Sequence, residues 1–377
     1  FAGETYKDDD CALFAPQTLD DNIYDPVDTG LVAKMHKAIT IIQLKLEGQL
    51  IERHPEWGMA EHSVFAHADF TDNTVEIGGK KYKLLDTNFP TVYPERPLEL
   101  TDEENELMTV LAYSFMHSDR LNKHIRFLYS KGSMYKTING NLLFHGCIPL
   151  DKDGEPQSIN IEGRQYSGKE MLDKLDEIAN KAYFMQEGEE KDYAADYLWY
   201  LWCGPCSPLY GKDKMAFFER YFIDDKELWK ENYNDYYHFS EQADVCGQIL
   251  EMFGLDPLHG HIINGHVPVK IKNGESPVRA DGRLFVIDGG ISKAYQKATG
   301  IAGYTLIYDS HSLNLAEHKP FVAGESEHTP TIHLVEKLDR RANISDTDKG
   351  KELLEQISDL RELLAAYRAG EIKESGR

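Results

Sequence analysis

Two histidines are set in unusually similar surroundings. His145 lies in Asn-Gly-Asn-Leu-Leu-Phe-His-Gly-Cys-Ile-Pro (Asn139–Pro149), and His266 in His-Ile-Ile-Asn-Gly-His-Val-Pro-Val (His261–Val269). Each apolar, β-rich run stops at a histidine with glycine beside it, so each imidazole is expected at a strand end. A neutral imidazole in that position can hold a metal ion. One such histidine says little. Two built alike are expected to supply two ligands that meet at one edge of a sheet. The bland alternative is a pair of ordinary, satisfied histidines in turns.

Other strings could carry chemistry. Trp202-Cys203-Gly204-Pro205-Cys206 resembles the redox motif of thioredoxins, which needs its first cysteine at a helix N-terminus. Here the preceding Tyr193–Leu201 reads as helix, and Ser207-Pro208 follows where a helix should start. The segment therefore reads as a loop leading into Leu209-Tyr210-Gly211-Lys212-Asp213-Lys214, with lysines available for a phosphate. A thiol–disulfide role for Cys203 and Cys206 stays as an alternative. Asp309-Ser310-His311 imitates the Asp-x-His pair of binuclear hydrolases but reads as a surface turn. Asp288-Gly289-Gly290 closes another strand, as a turn lining a site or as a plain turn. His36, His117 and His124 fall on helical patterns and read as packing or surface residues.

The elements that must position these residues follow from periodicity and turn chemistry. Leu31, Met35, Ala38, Ile39, Ile42, Leu46 and Leu50 repeat with a helical period, with lysines between them. Phe1–Gly30 is acidic and turn-rich with no obvious core-forming start. Thr74–Leu85 reads as a hairpin about Gly78-Gly79. Thr101 and Glu104 form a capping-box start for one helix running towards Tyr129. Asn139-Gly140 predicts a hairpin joining Ser133–Ile138 to Asn141–Phe144. A second hairpin is expected over Ser158–Tyr166, and helices over 169–186 and Ser240–Phe253, the latter capped by Ser240 and ended by Gly254. Strands are expected at Ile262–Ile263, Leu284–Asp288, Tyr304–Tyr308 and Thr331–Val335, then a solvated helix over Asp348–Arg368. Alternating strands and helices indicate an α/β (α+β) architecture. In chain order the expected segments are an acidic lead-in (1–32), a mostly helical insertion with a small hairpin (33–132), the main α/β part (133–340), and a terminal helix and tail (341–377).

Bulk composition narrows the partners. The 377 residues carry 41 Lys+Arg against 64 Asp+Glu, a net charge of −23. That balance argues against nonspecific nucleic-acid binding and against an anionic membrane surface. Five cysteines, odd in number and scattered, give no disulfide framework and fit a reducing, cytoplasmic compartment. A homo-oligomer is expected, of unspecified size.

Several strings together resemble one family. Besides the two histidine runs, they are Tyr-Leu-Trp-Cys-Gly-Pro with Ser-Pro-Leu-Tyr-Gly-Lys, Phe-Glu-Arg-Tyr-Phe (Phe218–Phe222), Val-Ile-Asp-Gly-Gly-Ile-Ser-Lys-Ala-Tyr-Gln (Val286–Gln296) and Thr-Gly-Ile-Ala-Gly-Tyr-Thr-Leu (Thr299–Leu306). They closely resemble class III fructose-1,6-bisphosphatase, a gluconeogenic enzyme of the calcineurin-like metallophosphatase superfamily. The resemblance implies a metallophosphatase β-sandwich flanked by helices, and hydrolysis of the 1-phosphate of fructose 1,6-bisphosphate with two Mn²⁺-like ions. His145 matches the superfamily's lone histidine and His266 its Gly-His motif, so both are expected metal ligands. Lys212 and Lys293 are the expected phosphate contacts. Pro268 stands where a further ligand is often found.

The sequence has no Gly-Asp dipeptide, and its one Gly-Asn (Gly140-Asn141) is followed by Leu142. The earlier superfamily motifs are therefore expected upstream, in a missing N-terminal portion held as a cleaved partner. On that expectation this chain is the C-terminal portion of the enzyme and is inactive alone. A non-catalytic regulatory module is a further alternative.

Overall fold

The computed structural model describes residues 1–16, 28–290, 299–300, 303–319 and 329–372. They gather in two compact units. The first is Phe1–Ser133 with Ile159–Tyr166 and Asp176–Tyr233, and the second is Met134–Ser158 with Ser167–Leu175 and Asn234–Arg377. This division cuts across the chain-order segments expected from the sequence, because the first unit takes back residues from beyond 133.

The first unit is organised on the helix Thr29–Arg53, whose first turn is capped by Asp28 accepting from the Leu31 N–H. Its buried face overlaps only in part with the one that the apolar period picks out, which holds for Ala38 and Ile42. Leu31, Met35 and Ile39 are exposed, whereas Lys37 and Lys45 are buried beside Ala38, Ile41 and Leu44. Carboxylates make this possible: Lys37 pairs with Asp9 and Asp86, and Lys45 with Glu104. A buried cation is tolerated where a carboxylate and further hydrogen bonds compensate its lost hydration. The lead-in, expected to be coreless, supplies Tyr6, Cys11 and Phe14 to this core as well as Asp9. The Thr101–Glu104 capping box forms as expected, and the same Glu104 carboxylate receives Lys45. The helix behind it stops early. It spans Asp102–Met116, and a second helix, capped by Ser118, spans Asp119–Lys131. Strands β1 (Ala68–Asp69), β2 (Thr74–Ile77) and β3 (Lys80–Lys83) form a three-stranded sheet.

The second unit opens with the Asn-Gly hairpin of β4 (Tyr135–Ile138) and β5 (Asn141–Phe144). The hairpin of β6 (Ser158–Ile161) and β7 (Arg164–Ser167), next in the chain, belongs mostly to the first unit. The main sheet joins β4 and β5 to β8 (His261–Asn264), β9 (Val278–Arg279) and β10 (Leu284–Val286), in the order β4-β5-β8-β10-β9. Its three central strands are mutually parallel, with Leu142 and Leu284 each opposite Ile262. They carry the continuous apolar runs typical of strands buried on both faces. The helix before β8 spans Ala243–Met252, and Ser240 does not cap it: Ser240 ends the short helix Tyr236–Phe239.

A second, antiparallel sheet is built from β11 (Gly303–Tyr308), β12 (Ser312–His318) and β13 (Thr331–Lys337). Strand β12 escaped the sequence reading although its alternate residues Leu313 and Leu315 are buried. Residues of both sheets line a cavity of about 380 Å³. The helix Asp348–Ala369 follows, solvated along its length as expected. The chain is thus a mixed α+β protein. Among the described residues, no helix is long and apolar enough to cross a membrane.

Candidate functional site

Because β5, β8 and β10 run parallel, their C-terminal ends share one edge of the sheet, the edge where such sheets place ligands. His145 directly follows β5, His266 follows β8 after Gly265, and Asp288 follows β10 after Ile287. The two histidines meet there. His145 Nε2 lies 3.1 Å from His266 Nδ1, with the rings 4.9 Å apart and inclined at 68°. The expectation that the two runs converge at one sheet edge holds.

Backbone ties fix that approach. The Gly265 N–H donates to the His145 carbonyl at 2.9 Å. The Asn264 side-chain amide donates to the Gly146 carbonyl at 3.2 Å and to the Tyr236 hydroxyl at 2.9 Å. His266 itself has φ +67°, and the Val267 N–H reaches the Gly265 carbonyl across it. That is a γ-turn of the rare positive-φ kind. Such strain persists where the surroundings hold it, and it clusters at functional sites. Gly265 lies close to the Asp288 strand end: a Cβ there would stand 3.6 Å from Asp288 Cβ, in ordinary contact.

Partial burial pulls the His145 pKa below the ordinary imidazole value, the neighbouring His266 pulls it further, and Asp288 pushes back. Both causes favour the neutral ring, the form that can hold a cation, and the ring's edge remains exposed to solvent. Two nitrogen donors at ~2.1 Å from one ion and at right angles to each other would stand about 3 Å apart. The observed 3.1 Å separation fits adjacent corners of one coordination sphere. Among the described residues no group of three or more His, Cys, Asp or Glu is arranged to hold a metal. The fit is therefore that of a donor pair with a carboxylate nearby, open on its other side.

The remaining expected residues are placed as follows. Lys212 lies in the first unit, half-buried, paired with Glu231 at 2.7 Å and near the rings of Tyr210 and Tyr233. Its charge is already compensated within its own unit. Lys293 lies outside the described residues. Cys203 is the last residue of the helix Glu189–Cys203, the opposite end from the one thiolate chemistry needs. Burial pushes its thiol far up, and the Cys206 thiol up to about 11, so neither is poised for redox exchange. None of the five cysteines is in a disulfide. Asp309 closes an exposed turn, accepting from the His311 and Ser312 N–H groups, as the surface-turn reading expects.

Two further residues lie at this edge, one of them weighed in the sequence as part of a turn lining a site and the other not singled out. Asp288 was visible only as part of a glycine turn at a strand end, because nothing in the string shows that β10 lies beside β8. Asn264 read as one more residue of a β run. Its signal was a buried-run polar residue two positions before the histidine.

Comparison with known proteins completes the assignment. The family model described as Firmicute fructose-1,6-bisphosphatase matches residues 1–369. A protein of Bacteroides thetaiotaomicron named fructose-1,6-bisphosphatase class 3 is 50% identical, over 99% of this chain and 58% of its own length. Its namesake in Clostridium botulinum is 51% identical over the same shares, and that of Clostridium acetobutylicum 50% identical over 99% and 57%. The chain thus spans under two thirds of the length of the curated relatives it matches. No solved structure matches it. The expectations of a missing partner segment and of inactivity alone are not tested by these matches. A match along residues 1–369 establishes that the chain belongs to the Firmicute fructose-1,6-bisphosphatase family.

Proposed function

We propose that the protein hydrolyses the 1-phosphate of fructose 1,6-bisphosphate to fructose 6-phosphate and phosphate, at a divalent-cation site anchored by His145 and His266. The observation that carries this reading is the 3.1 Å approach of the two imidazoles at neighbouring parallel strand ends, within the sequence matched by the family. The relatives' name supports the choice of substrate. The calcineurin-like metallophosphatase relationship and a binuclear Mn²⁺ centre rest on the family resemblance, and His145 and His266 as a pair would hold one ion of it. A cation bound there supplies Lewis acidity, acidifying water and offsetting phosphate charge.

The chain's own residues do the rest. His145 offers a neutral ring nitrogen, because burial and His266 disfavour its protonation. The turn around His266 fixes the second ring, and Asp288 adds local negative charge on the side of a cation. A protein of net charge −23 attracts a bisphosphate only through such a local centre and a few cations. Lys212 is paired with Glu231 within the first unit, and Lys293 remains the proposed phosphate contact. The free thiols suit a reducing cytoplasm.

The test is phosphate release from fructose 1,6-bisphosphate with and without Mn²⁺. Metal-dependent release is expected, falling on the order of 100-fold or more in His145→Ala and in His266→Ala, and little changed in Cys203→Ser. Unchanged release in both histidine variants would contradict the proposal. Loss in Cys203→Ser alone would transfer the chemistry to the thiols. No release from any form would favour a non-catalytic module.

A further inference from the structure

We infer that Asn264 is a positioning residue, the clamp that sets the spacing of His145 and His266. The inference rests on the proposed cation site and adds the residue that shapes it. Asn264 is 4% exposed, at the end of β8, and its side chain crosses to the neighbouring strand end. One amide hydrogen reaches the Gly146 carbonyl, the peptide immediately after His145, and the other reaches the buried Tyr236 hydroxyl. The same residue's backbone carbonyl accepts from the Ile287 N–H, next to Asp288. Asn264 therefore touches the three strand-end loops that carry His145, His266 and Asp288.

The chemistry at this position specifies an amide. Both side-chain donors are used, while Oδ1 is buried with no hydrogen-bond partner. A buried acceptor left unsatisfied is a cost, so the residue is not there for its own hydrogen-bonding balance. An aspartate would have the same shape but would set a carboxylate oxygen against the Gly146 carbonyl. It would repel where the amide ties. Removing the tie loosens the His145–Gly146 loop, leaving the Gly265 N–H bond and the contact between the two rings to hold the histidines together. Groups that orient metal-binding side chains in this way typically change cation affinity 10- to 100-fold when removed.

The experiment compares Asn264→Ala, Asn264→Asp and Tyr236→Phe with the parent protein by two readouts. The first is Mn²⁺ affinity by titration calorimetry. The second, on metal-free protein, is the proton NMR signal of the imidazole N–H shared by the two rings. Both Asn264 variants are expected to bind Mn²⁺ roughly 10- to 100-fold more weakly and to lose the shared imidazole signal, with circular dichroism unchanged. Tyr236→Phe removes the other partner of the same amide but leaves the Gly146 tie, so it should keep both. A merely structural role predicts equal damage from Tyr236→Phe and Asn264→Ala, and that result would overturn the inference. Parental affinity and a persisting imidazole signal in both Asn264 variants would overturn it as well. If the parent bound no Mn²⁺ while Asn264→Ala still lost the imidazole signal, the clamp would stand and the cation site would fall.

Discussion

At the scale of single residues, Lys37 shows how a charge can be built into a core. Its ammonium lies 2.6 Å from Asp9 and 2.7 Å from Asp86, fully buried, and near the rings of Tyr6 and Phe89. Burial alone would raise the Asp9 pKa, but hydrogen bonds from Lys37, the Cys11 N–H and Asn88 outweigh it and hold the group at about 2. A carboxyl depressed in the folded state stabilises the protein above its ordinary pKa, and that contribution fades as pH falls through the folded value. Asp9→Asn should therefore cost about 2 kcal/mol at neutral pH, and the difference from the parent should close between pH 3.8 and about 2. Urea unfolding at pH 7 and pH 2.5 measures this, and a difference that does not shrink in acid would contradict the account. The pairing was not legible in the string. Apolar periodicity assigns lysine to the solvent side, and both carboxylates that reverse the assignment are distant in sequence. His145 and His266 were legible because their signal, an apolar run ending at histidine and glycine, is local.

Whole elements were legible where the deciding interactions are local too. The Asn139-Gly140 hairpin, the Thr101–Glu104 box and the Gly254 stop depend on residues a few positions apart, and all three form. Where tertiary contacts choose among local options, the reading missed: the helix break at Ser118, the start of the helix after Ser240, and the strand β12. One long-range tie joins two correctly read elements. The Asn139 N–H donates to the Asp348 carboxylate at 2.6 Å, and the Asp348 N–H donates to Asn139 Oδ1 at 3.0 Å. The hairpin turn and the N-terminus of the last helix thus satisfy each other's exposed donors, and Asp348 also sits favourably in the helix's first turn. Asp348→Ala should destabilise the docked start of that helix by about 1 kcal/mol. Faster amide exchange is expected over Ile344–Glu352 with the main sheet unaffected. Unchanged exchange there would show that the tie contributes nothing.

For the molecule as a whole, the α+β architecture could be anticipated from alternating strand and helix patterns, and the family from long matching strings. The division into two units could not, because residues 159–166 and 176–233 return to the first unit across intervening sequence. The neighbourhood of Asp288 and Asn264 was hidden for a related reason. It depends on the parallel order β5-β8-β10, which no single segment encodes. The central claim is that this order gathers His145 and His266 into one cation-holding pair. Titration of Mn²⁺ into the parent protein, His145→Ala, His266→Ala and the double variant, followed by the loss of the free-ion electron paramagnetic resonance signal, tests it most directly. The account predicts saturable binding to the parent, weakened at least 10-fold by either single substitution and scarcely further by the double one. Equal Mn²⁺ binding by the parent and the double variant would contradict it.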